Sequence, residues 1–254
     1  MRTVILIFAA LLSSLLFTTQ SSAQTLTATR SSSFTYNAQG LLLTETIEPD
    51  LPQSCLVTTY SYDSYGNKAS ISTQPCAGAT GSAISSATVA RTATATYAAQ
   101  TLTVAGASYT TPAGYFATSN ANALAQAESK EYDPRFGGIT KLVGPNGLAT
   151  TWTYETFGRK TRETRADGTY TTWTYNLCTD AGASCPAPIA GQTLVNQLTE
   201  ASFASSNVSL SPAKVQFSDA LGRAIRSQTL NFAGATIVQD KEHNALGQLV
   251  RSGR

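Results

Sequence analysis

A repeat of 21 residues constrains the fold of this chain more than any other feature of its sequence. The segment Thr-Thr-Trp-Thr-Tyr occupies positions 150–154 and recurs unchanged at positions 171–175. Glycines follow the same step, with one about every ten residues: Gly137, Gly147, Gly158 and Gly168. A chain with such a period is built from small units that stack on their neighbours.

The segments between the glycines have the pattern of β-strands. Thr-Thr-Trp-Thr-Tyr alternates threonine with aromatic residues, as in a strand with one packed face. The turns contain Asn146-Gly147 and Asp167-Gly168, and such dipeptides supply the positive φ that tight hairpins require. Short strands joined by tight turns at regular steps predict an all-β fold, an antiparallel meander of short hairpins.

A wider motif extends this pattern along the chain. It consists of a tyrosine, an acidic or amide residue, two further residues and a glycine. Clear copies end at Gly40, Gly66 and Gly158, a copy with one extra residue ends at Gly137, and degenerate copies end at Gly222 and Gly247. Asn122-Ala123-Leu124-Ala125 is a further half-unit with alanine in the glycine position.

These residues resemble the YD-repeat, or RHS-repeat, family of bacterial proteins. The likeness covers residues 30–75 and 116–254 and is closest over 131–175, which contains the Tyr-Asp-Pro-Arg-Phe-Gly and Gly-Pro-Asn-Gly turns. The resemblance implies that the meander is part of a spiral or shell-like sheet. It implies as partners the remainder of a longer RHS-type protein or a C-terminal toxin domain that such a shell encloses.

The chain also departs from the family pattern. It is too short to close a shell of that kind, and the family's self-cleavage element is absent. Asp133-Pro134 lacks the upstream proline of that element, so no catalytic role is assigned to it. The last residues, 251–254, follow directly on the sixth recognisable glycine turn. We therefore expect the N-terminal part of a longer protein, or a truncated copy.

The first 23 residues have the pattern of a secretory signal peptide. Arg2 precedes an apolar run from Val4 to Phe17, and Ser21-Ser22-Ala23 places small residues before the expected cleavage point. A membrane anchor is the alternative, but the run is shorter than the roughly 18–20 apolar residues that a span needs. No later segment is long and apolar enough to span, so we expect an exported chain without a transmembrane segment.

The four cysteines agree with export. An even number of cysteines in an exported chain favours disulfides. The sequence has no Cys-x-x-Cys pair, which argues against structural zinc. The short separations favour two pairs, Cys55–Cys76 and Cys178–Cys185. The first would staple a local insertion around Gln74-Pro75 and the second one around residues 179–182. Four free thiols are the alternative.

Composition changes divide the remaining chain into five parts. Residues 24–76 hold the first repeat units, 77–115 an interruption rich in Ala, Ser and Thr, and 116–177 the repeats with the 21-residue period. Residues 178–212 form a Cys-stapled insertion, and 213–254 hold further degenerate repeats. Within the insertion, residues 194–198 fit either a strand or a short helical turn.

The composition disfavours several classes of function. Charged residues make up only 13% of the chain and the net charge is +2, so a nucleic-acid partner is not expected. The single histidine, His243, occupies a tyrosine position of the repeat and is taken as a packing residue. The turn aspartates are explained by capping. We therefore predict no catalytic residues, no metal site and no cofactor.

Trp152 and Trp173 occupy matching positions one repeat apart. On a common sheet face they could form a ladder that binds sugar, although packing is the favoured explanation, because buried aromatic residues dominate β cores. The leading prediction of function is a non-catalytic exported repeat scaffold, a segment of a shell associated with a toxin or a cell-surface protein. The alternative is a carbohydrate- or protein-binding module that uses the exposed sheet face, and an enzyme is a third hypothesis.

Overall fold

A computed structural model describes residues 29–78, 90–181, 183–189, 191–231 and 233–253. Every regular element in these ranges is a β-strand, as the sequence predicts. No helix there is long and apolar enough to cross a bilayer. The predicted signal peptide, residues 1–23, lies outside the described residues, as do residues 79–89 of the predicted interruption.

The strands are five to eight residues long, with one exception of three residues. The N-terminal half contains β1 (Ser32–Tyr36), β2 (Leu42–Ile47), β3 (Leu56–Tyr62), β4 (Lys68–Pro75), β5 (Arg91–Thr96), β6 (Gln100–Val104), β7 (Ala107–Thr111), β8 (Ser119–Ala121) and β9 (Ala127–Tyr132). The C-terminal half contains β10 (Ile139–Val143), β11 (Ala149–Tyr154), β12 (Lys160–Thr164), β13 (Tyr170–Leu177), β14 (Asn196–Phe203), β15 (Lys214–Ser218), β16 (Ala224–Leu230), β17 (Thr236–His243) and β18 (Leu249–Gly253).

Sixteen of these strands form one antiparallel sheet in chain order. The exception to the order is β6–β7, a separate two-stranded hairpin, so that β5 pairs directly with β8. Gln100 of β6 docks this hairpin on the main sheet, since its side chain accepts from the Tyr132 amide at 3.0 Å and donates to the Lys130 carbonyl at 2.7 Å. The predicted meander of hairpins is confirmed.

Successive turns of a meander alternate between the two ends of its strands. The six hairpins with a Tyr-Asp-type turn all turn at the same end, which we call the tyrosine rim: residues 37–41, 63–67, 133–138, 155–159, 219–223 and 244–248. Each of these hairpins also has a one-residue register shift beside its turn, and all six shifts lie on the tyrosine rim. Such bulges increase strand twist, so this rim bends the sheet repeatedly.

The turns differ in one respect from the two-residue hairpins that the dipeptides suggest. In 144–148, the Gly144 amide donates to the Leu148 carbonyl at 3.0 Å and the Gly147 amide to the Gly144 carbonyl at 2.9 Å. Only the glycine has positive φ, +74°, and Asn146 does not. These are therefore longer loops in which one glycine is left-handed. Asn146 acts through its side chain, which accepts from the Leu148 amide at 3.1 Å.

The sheet buries few apolar side chains. One core cluster lies in the C-terminal half and consists of Leu194, Phe217 and Ile225. Val215 and the cysteines 178 and 185 pack around it. Elsewhere, cross-strand hydroxyl pairs such as Thr58–Thr73 at 3.0 Å link neighbouring strands. Each such pair contributes only about 0.2–1 kcal/mol, so the fold depends on many small terms and on its hydrogen-bonded ladder.

Both disulfide pairings expected from the sequence are present, Cys55–Cys76 and Cys178–Cys185. The surroundings of the first disulfide differ from the expectation. Cys55 precedes β3 and Cys76 follows β4, so the first disulfide clamps the open end of a hairpin and does not staple an insertion around Gln74-Pro75. The pairing is set by strand register, because the two residues flank a cross-strand pair, Leu56 and Pro75.

The predicted insertion at 178–212 also contains a full strand. β14 pairs with β13 at eight successive positions and with β15 on its other side, so it belongs to the main sheet. The Leu194–Leu198 ambiguity resolves to a strand from Asn196, because Leu198 and Thr199 pair across to Tyr175 and Thr174. In this region, only residues 178–195 and the 204–213 connection lie outside the strands of the main sheet.

Candidate functional site

The acidic and amide residues of the tyrosine rim cap their own turns. Asp63 Oδ1 accepts from the Tyr65 and Asn67 amides, both at 2.9 Å. Asn244 makes the equivalent bonds to the amides two and four residues ahead, at 3.0 and 2.9 Å. A side-chain oxygen in this position satisfies backbone donors that the turn leaves unpaired. These groups therefore have a structural role in each turn.

Arginines hold three of the acidic caps. Arg135 donates to Asp133 through Nε at 2.9 Å and Nη2 at 2.7 Å, and Asp133 is only 2% exposed. This guanidinium, through its side-chain hydrogen bonds, holds the pKa of the Asp133 carboxyl below its usual range. Arg159–Glu155 and Arg223–Asp219 repeat the pairing in later turns. Such charges are fixed on neighbouring groups, which leaves them poorly suited to acid–base chemistry.

Three tyrosines of the motif link their hairpins to earlier parts of the chain. The hydroxyl groups of Tyr62, Tyr132 and Tyr154 donate to backbone carbonyls 15 or 20 residues earlier, at 2.8, 3.0 and 2.6 Å. Burial, and then the charge of Asp133, raises the pKa of Tyr154. The ring of each tyrosine packs while its hydroxyl bonds to the backbone, so these residues join neighbouring repeats.

Two rim glycines, Gly137 and Gly158, each form a shelf for an aromatic side chain that precedes them in the chain. Phe136 lies against Gly158, where an added Cβ would stand 3.0 Å from the ring, and its ring packs edge-on to Tyr154 at 5.2 Å. Phe116 has the same relation to Gly137 and stacks on Tyr132 at 4.6 Å. An aromatic residue of one turn thus rests on the tyrosine and glycine of the next.

All eight glycines that the sequence assigns to turns have positive φ: Gly40, Gly66, Gly137, Gly147, Gly158, Gly168, Gly222 and Gly247. The half-unit 122–125 is a complete turn on the opposite rim, and Ala125 adopts φ +58° in the glycine position. Asn122 caps it through bonds from the amides of Leu124 and Gln126.

His243 stands in the tyrosine position of the last hairpin, on β17. Its amide is 3.3 Å from Gln192 Oε1, and its buried Nδ1 has no hydrogen-bond partner among the described residues. Within those ranges, no three acidic, His or Cys side chains come together as a metal site would require. The absence of a catalytic site thus stays a prediction.

Trp152 and Trp173 lie on one face of the sheet, on β11 and β13. Each indole Nε1 donates to a glutamate on the next strand, Glu163 at 2.9 Å and Glu200 at 3.2 Å. The Lys160 ammonium lies 5.5 Å from one ring centroid and 5.4 Å from the other, so it bridges the two indoles. A sugar that stacked between the rings would have to displace this lysine.

The rim packing is interrupted after the 155–159 turn. Tyr175 stands in the same position relative to Trp173 as Tyr154 does to Trp152, but residues 178–195 replace the glycine turn that would follow. Phe157, the counterpart of Phe136, therefore has no glycine shelf and is 85% exposed, against 36% for Phe136. Arg159 covers the Tyr175 ring, at 4.3 Å from its centroid.

This interruption opens a groove of about 720 Å³. Phe157 and Arg159 of the 155–159 turn line it, together with Tyr175 of β13, Leu198 of β14 and Gln216 of β15. A second groove of about 300 Å³ shares Leu198 and Gln216 and continues across β15–β17. Sequence reasoning missed this feature; the signal was Tyr175-Asn176, a motif start with no glycine after it.

No protein-family model matches the sequence, and no curated protein matches it either. Among solved structures, the chain is similar to a crystal structure of TcdB2-TccC3-Cdc42, at 14% identity over 88% of this chain, with a TM-score of 0.45. It is similar to the Photorhabdus luminescens Tc holotoxin pore with a mutated TccC3, at 13% identity over 88%, with a TM-score of 0.48. In both cases it spans 12% of the length of the other chain.

Proposed function

We propose that this chain is a non-catalytic exported scaffold, a segment of a larger RHS-type shell associated with a toxin or a cell-surface protein. The observation that carries the proposal is the open sheet. Among the described residues, β1 pairs only with β2 and β18 only with β17. Unpaired strand edges favour the addition of further strands, and a repeat sheet is stabilised by each neighbour that it gains.

The composition of the buried residues supports the same proposal. Five hydrophobic residues are buried among the described residues: Cys55, Tyr170, Leu194, Phe217 and Ile225. β1 and β18 are exposed at every position, with Phe34, Tyr36, Leu249 and Val250 among them. Apolar side chains on both terminal strands would be covered by the strands of a continuing sheet.

Export and the lack of catalysis rest on separate observations. Two disulfides fit an oxidising compartment. The acidic side chains Asp133, Glu155 and Asp219 serve as turn caps paired with arginine, which explains their placement without a reaction.

The test begins with the DNA of the locus beyond the codon for Arg254. We expect the reading frame to continue into further Tyr-x-x-x-Gly units and a C-terminal domain without repeats. The product of that frame is then digested with proteinase K, and we expect the C-terminal domain to survive while the same domain expressed alone is degraded. A stop codon directly after Arg254, or equal digestion of both proteins, would contradict the shell.

A second candidate function is a binding module on the exposed sheet face. The groove beside Phe157 favours it, because aromatic and amide side chains line one continuous surface there. The two candidates are compatible, since a shell segment can present a binding groove on its outer or inner face.

A further inference from the structure

We infer that the groove between the 155–159 turn and β14–β15 is a binding site for a neutral oligosaccharide. This inference rests on the second candidate function and specifies its site and its ligand class. It does not depend on the shell. The groove has the volume of a small-molecule site, about 720 Å³ within a usual range of roughly 300–1,000 Å³.

The first argument is the exposed aromatic ring. Phe157 is 85% exposed on the 155–159 turn, and among the described residues no glycine lies against its ring. An exposed phenyl ring costs free energy in water, and an apolar surface placed against it recovers that cost. A pyranose offers such a surface, since one face of the sugar ring consists of C–H groups.

The second argument is the chemistry of the polar lining. Gln216 is exposed on β15, and its side-chain amide has no hydrogen-bond partner among the described residues. Asn196 Nδ2 donates to the Asp219 carbonyl at 3.3 Å, which leaves its carbonyl oxygen free to accept. Amide side chains both donate and accept, as sugar hydroxyls do, so the two groups are complementary.

The third argument is charge, which selects a neutral ligand. Arg159 makes two hydrogen bonds to Glu155, at 2.9 and 3.1 Å, so its positive charge already has a partner in the protein. Asp180 Oδ2 accepts from the Leu177 amide at 2.6 Å. The lining thus carries one positive and one negative side chain, Arg159 and Asp180, and has no net charge that would favour an ionic ligand.

The fourth argument is length. The groove at Phe157 shares Leu198 and Gln216 with the second groove, which runs on to Ile237 and Gln239 of β17. The combined surface crosses several strands of the sheet. It therefore fits several linked sugar units better than a single one.

The experiment measures binding of five neutral hexasaccharides to the full chain, expressed with its own N-terminal segment. The probes are maltohexaose, cellohexaose, xylohexaose, mannohexaose and chitohexaose, with hexagalacturonate as the charged comparison. Isothermal titration calorimetry gives the affinity, and saturation-transfer NMR identifies the sugar protons at the protein. We expect at least one neutral probe to bind, with no effect of raising the salt concentration.

Two variants locate the site. Phe157→Ala and Gln216→Ala should each weaken binding by about tenfold, which corresponds to about 1.4 kcal/mol. Leu221→Ala is the matched control, because Leu221 holds the same turn position and is 78% exposed but does not line the groove. It should leave the affinity unchanged. Circular dichroism of each variant checks that the fold is intact.

Other results would overturn the inference in distinguishable ways. Binding that survives both groove variants but is lost in the Trp152→Ala/Trp173→Ala double variant would place the site on the tryptophans. Preference for hexagalacturonate would make the ligand charged. Absence of binding to all six probes would remove the oligosaccharide site, and binding of an extended peptide in their place would make the groove a protein-binding surface.

Discussion

At the residue scale, a comparison of two glycines separates the cost of a left-handed backbone from the cost of a side-chain clash. Gly147 and Gly158 have similar positive φ, +74° and +79°, but only Gly158 would place a Cβ against another side chain, 3.0 Å from Phe136. We expect Gly147→Ala to lower the free energy of unfolding by about 1–2 kcal/mol, the cost of a left-handed residue. Gly158→Ala should cost about 1 kcal/mol more, because the phenyl ring must shift.

Urea unfolding of both variants measures this difference. The matched control is Gly158→Ala combined with Phe136→Ala, in which the extra cost should disappear because the ring is gone. Equal costs at the two glycines in the presence of Phe136 would mean that the shelf makes no contribution.

Ala125 provides the opposite substitution. It holds φ +58° in a turn where the other copies have glycine. We expect Ala125→Gly to stabilise the protein by about 1 kcal/mol, because the left-handed strain is removed. The neighbouring Ala123→Gly, at a position without positive φ, should destabilise slightly because glycine loses more chain entropy. Thermal melts of the two variants should therefore shift in opposite directions.

Asp133 makes stability depend on pH. Arg135 lowers the folded-state pKa of this carboxyl below its unfolded value, which is about 3.9. The stabilisation is therefore present above pH about 4 and is lost as the pH falls through the folded-state pKa. Asp133→Asn should cost about 1.5–3 kcal/mol at pH 7, and the gap to the native protein should narrow at low pH.

Urea unfolding between pH 2.5 and pH 7 tests this expectation. Asp50→Asn is the control, because Asp50 is exposed in the β2–β3 loop. A gap between the native protein and Asp133→Asn that stayed constant over this pH range would refute the charge pairing.

At the scale of elements, each disulfide acts on a different part of the sheet. Cys55–Cys76 joins positions 21 residues apart at the base of the β3–β4 hairpin, whereas Cys178–Cys185 closes a separation of 7. Loop-closure entropy predicts stabilisation of about 3.4 kcal/mol for the longer loop and about 2.5 kcal/mol for the shorter one. The Cys55→Ser/Cys76→Ser double variant should thus be the less stable of the two double variants in urea.

A peptide map under non-reducing conditions establishes the linkages before the stabilities are compared. Peptides containing residues 55 and 76 should run together and separate on reduction, as should those containing 178 and 185. A cross-linked pair of any other combination would invalidate the comparison.

Elements with strong local signals were predictable from the sequence. The glycine turns and the strands of 149–177 follow from period and alternation, since each turn needs a left-handed residue and each strand repeats a packed face. The placement of β14 was not predictable, because β14 pairs with β13 and β15 across the long connections 178–195 and 204–213. Pairing of distant residues carries no local signal.

The candidate site could also be predicted only in part, because contacts between distant residues leave no local signal. The matching positions of Trp152 and Trp173 could be read from the repeat, but the placement of Lys160 between them depends on strand register. The groove at Phe157 arises from what the next repeat lacks, and its walls come from the 155–159 turn, β13, β14 and β15. An interruption becomes visible only when neighbouring repeats are placed side by side.

At the scale of the whole molecule, stability should be distributed unevenly along the sheet. The core cluster of Leu194, Phe217 and Ile225 lies in the C-terminal half, and β1–β4 have no comparable cluster among the described residues. Repeat sheets are stabilised mainly between nearest neighbours. We expect Phe217→Ala, which removes a fully buried ring at a cost of about 3–5 kcal/mol, to unfold β14–β16 selectively.

Hydrogen exchange followed by mass spectrometry tests this expectation. Amides of β14–β16 should lose protection in Phe217→Ala, whereas those of β3 and β4 should keep theirs. Phe34→Ala is the control, because Phe34 is about half exposed on β1. Uniform loss of protection across the sheet would show that the molecule unfolds as one cooperative unit.

The packing of each tyrosine-rim turn on the next also bears on how such a gene can change length. Phe136 packs on the turn at 154–158, and Phe116 on the turn at 132–137. These two joints therefore have the same two faces, an aromatic residue and a tyrosine–glycine shelf, whereas an added Cβ at Gly40 or Gly222 would have no atom within 4 Å. Unequal recombination that removes or duplicates one whole period between the two joints leaves matching faces on both sides of the new junction. This part of the sheet can thus gain or lose a hairpin without redesign of those that remain.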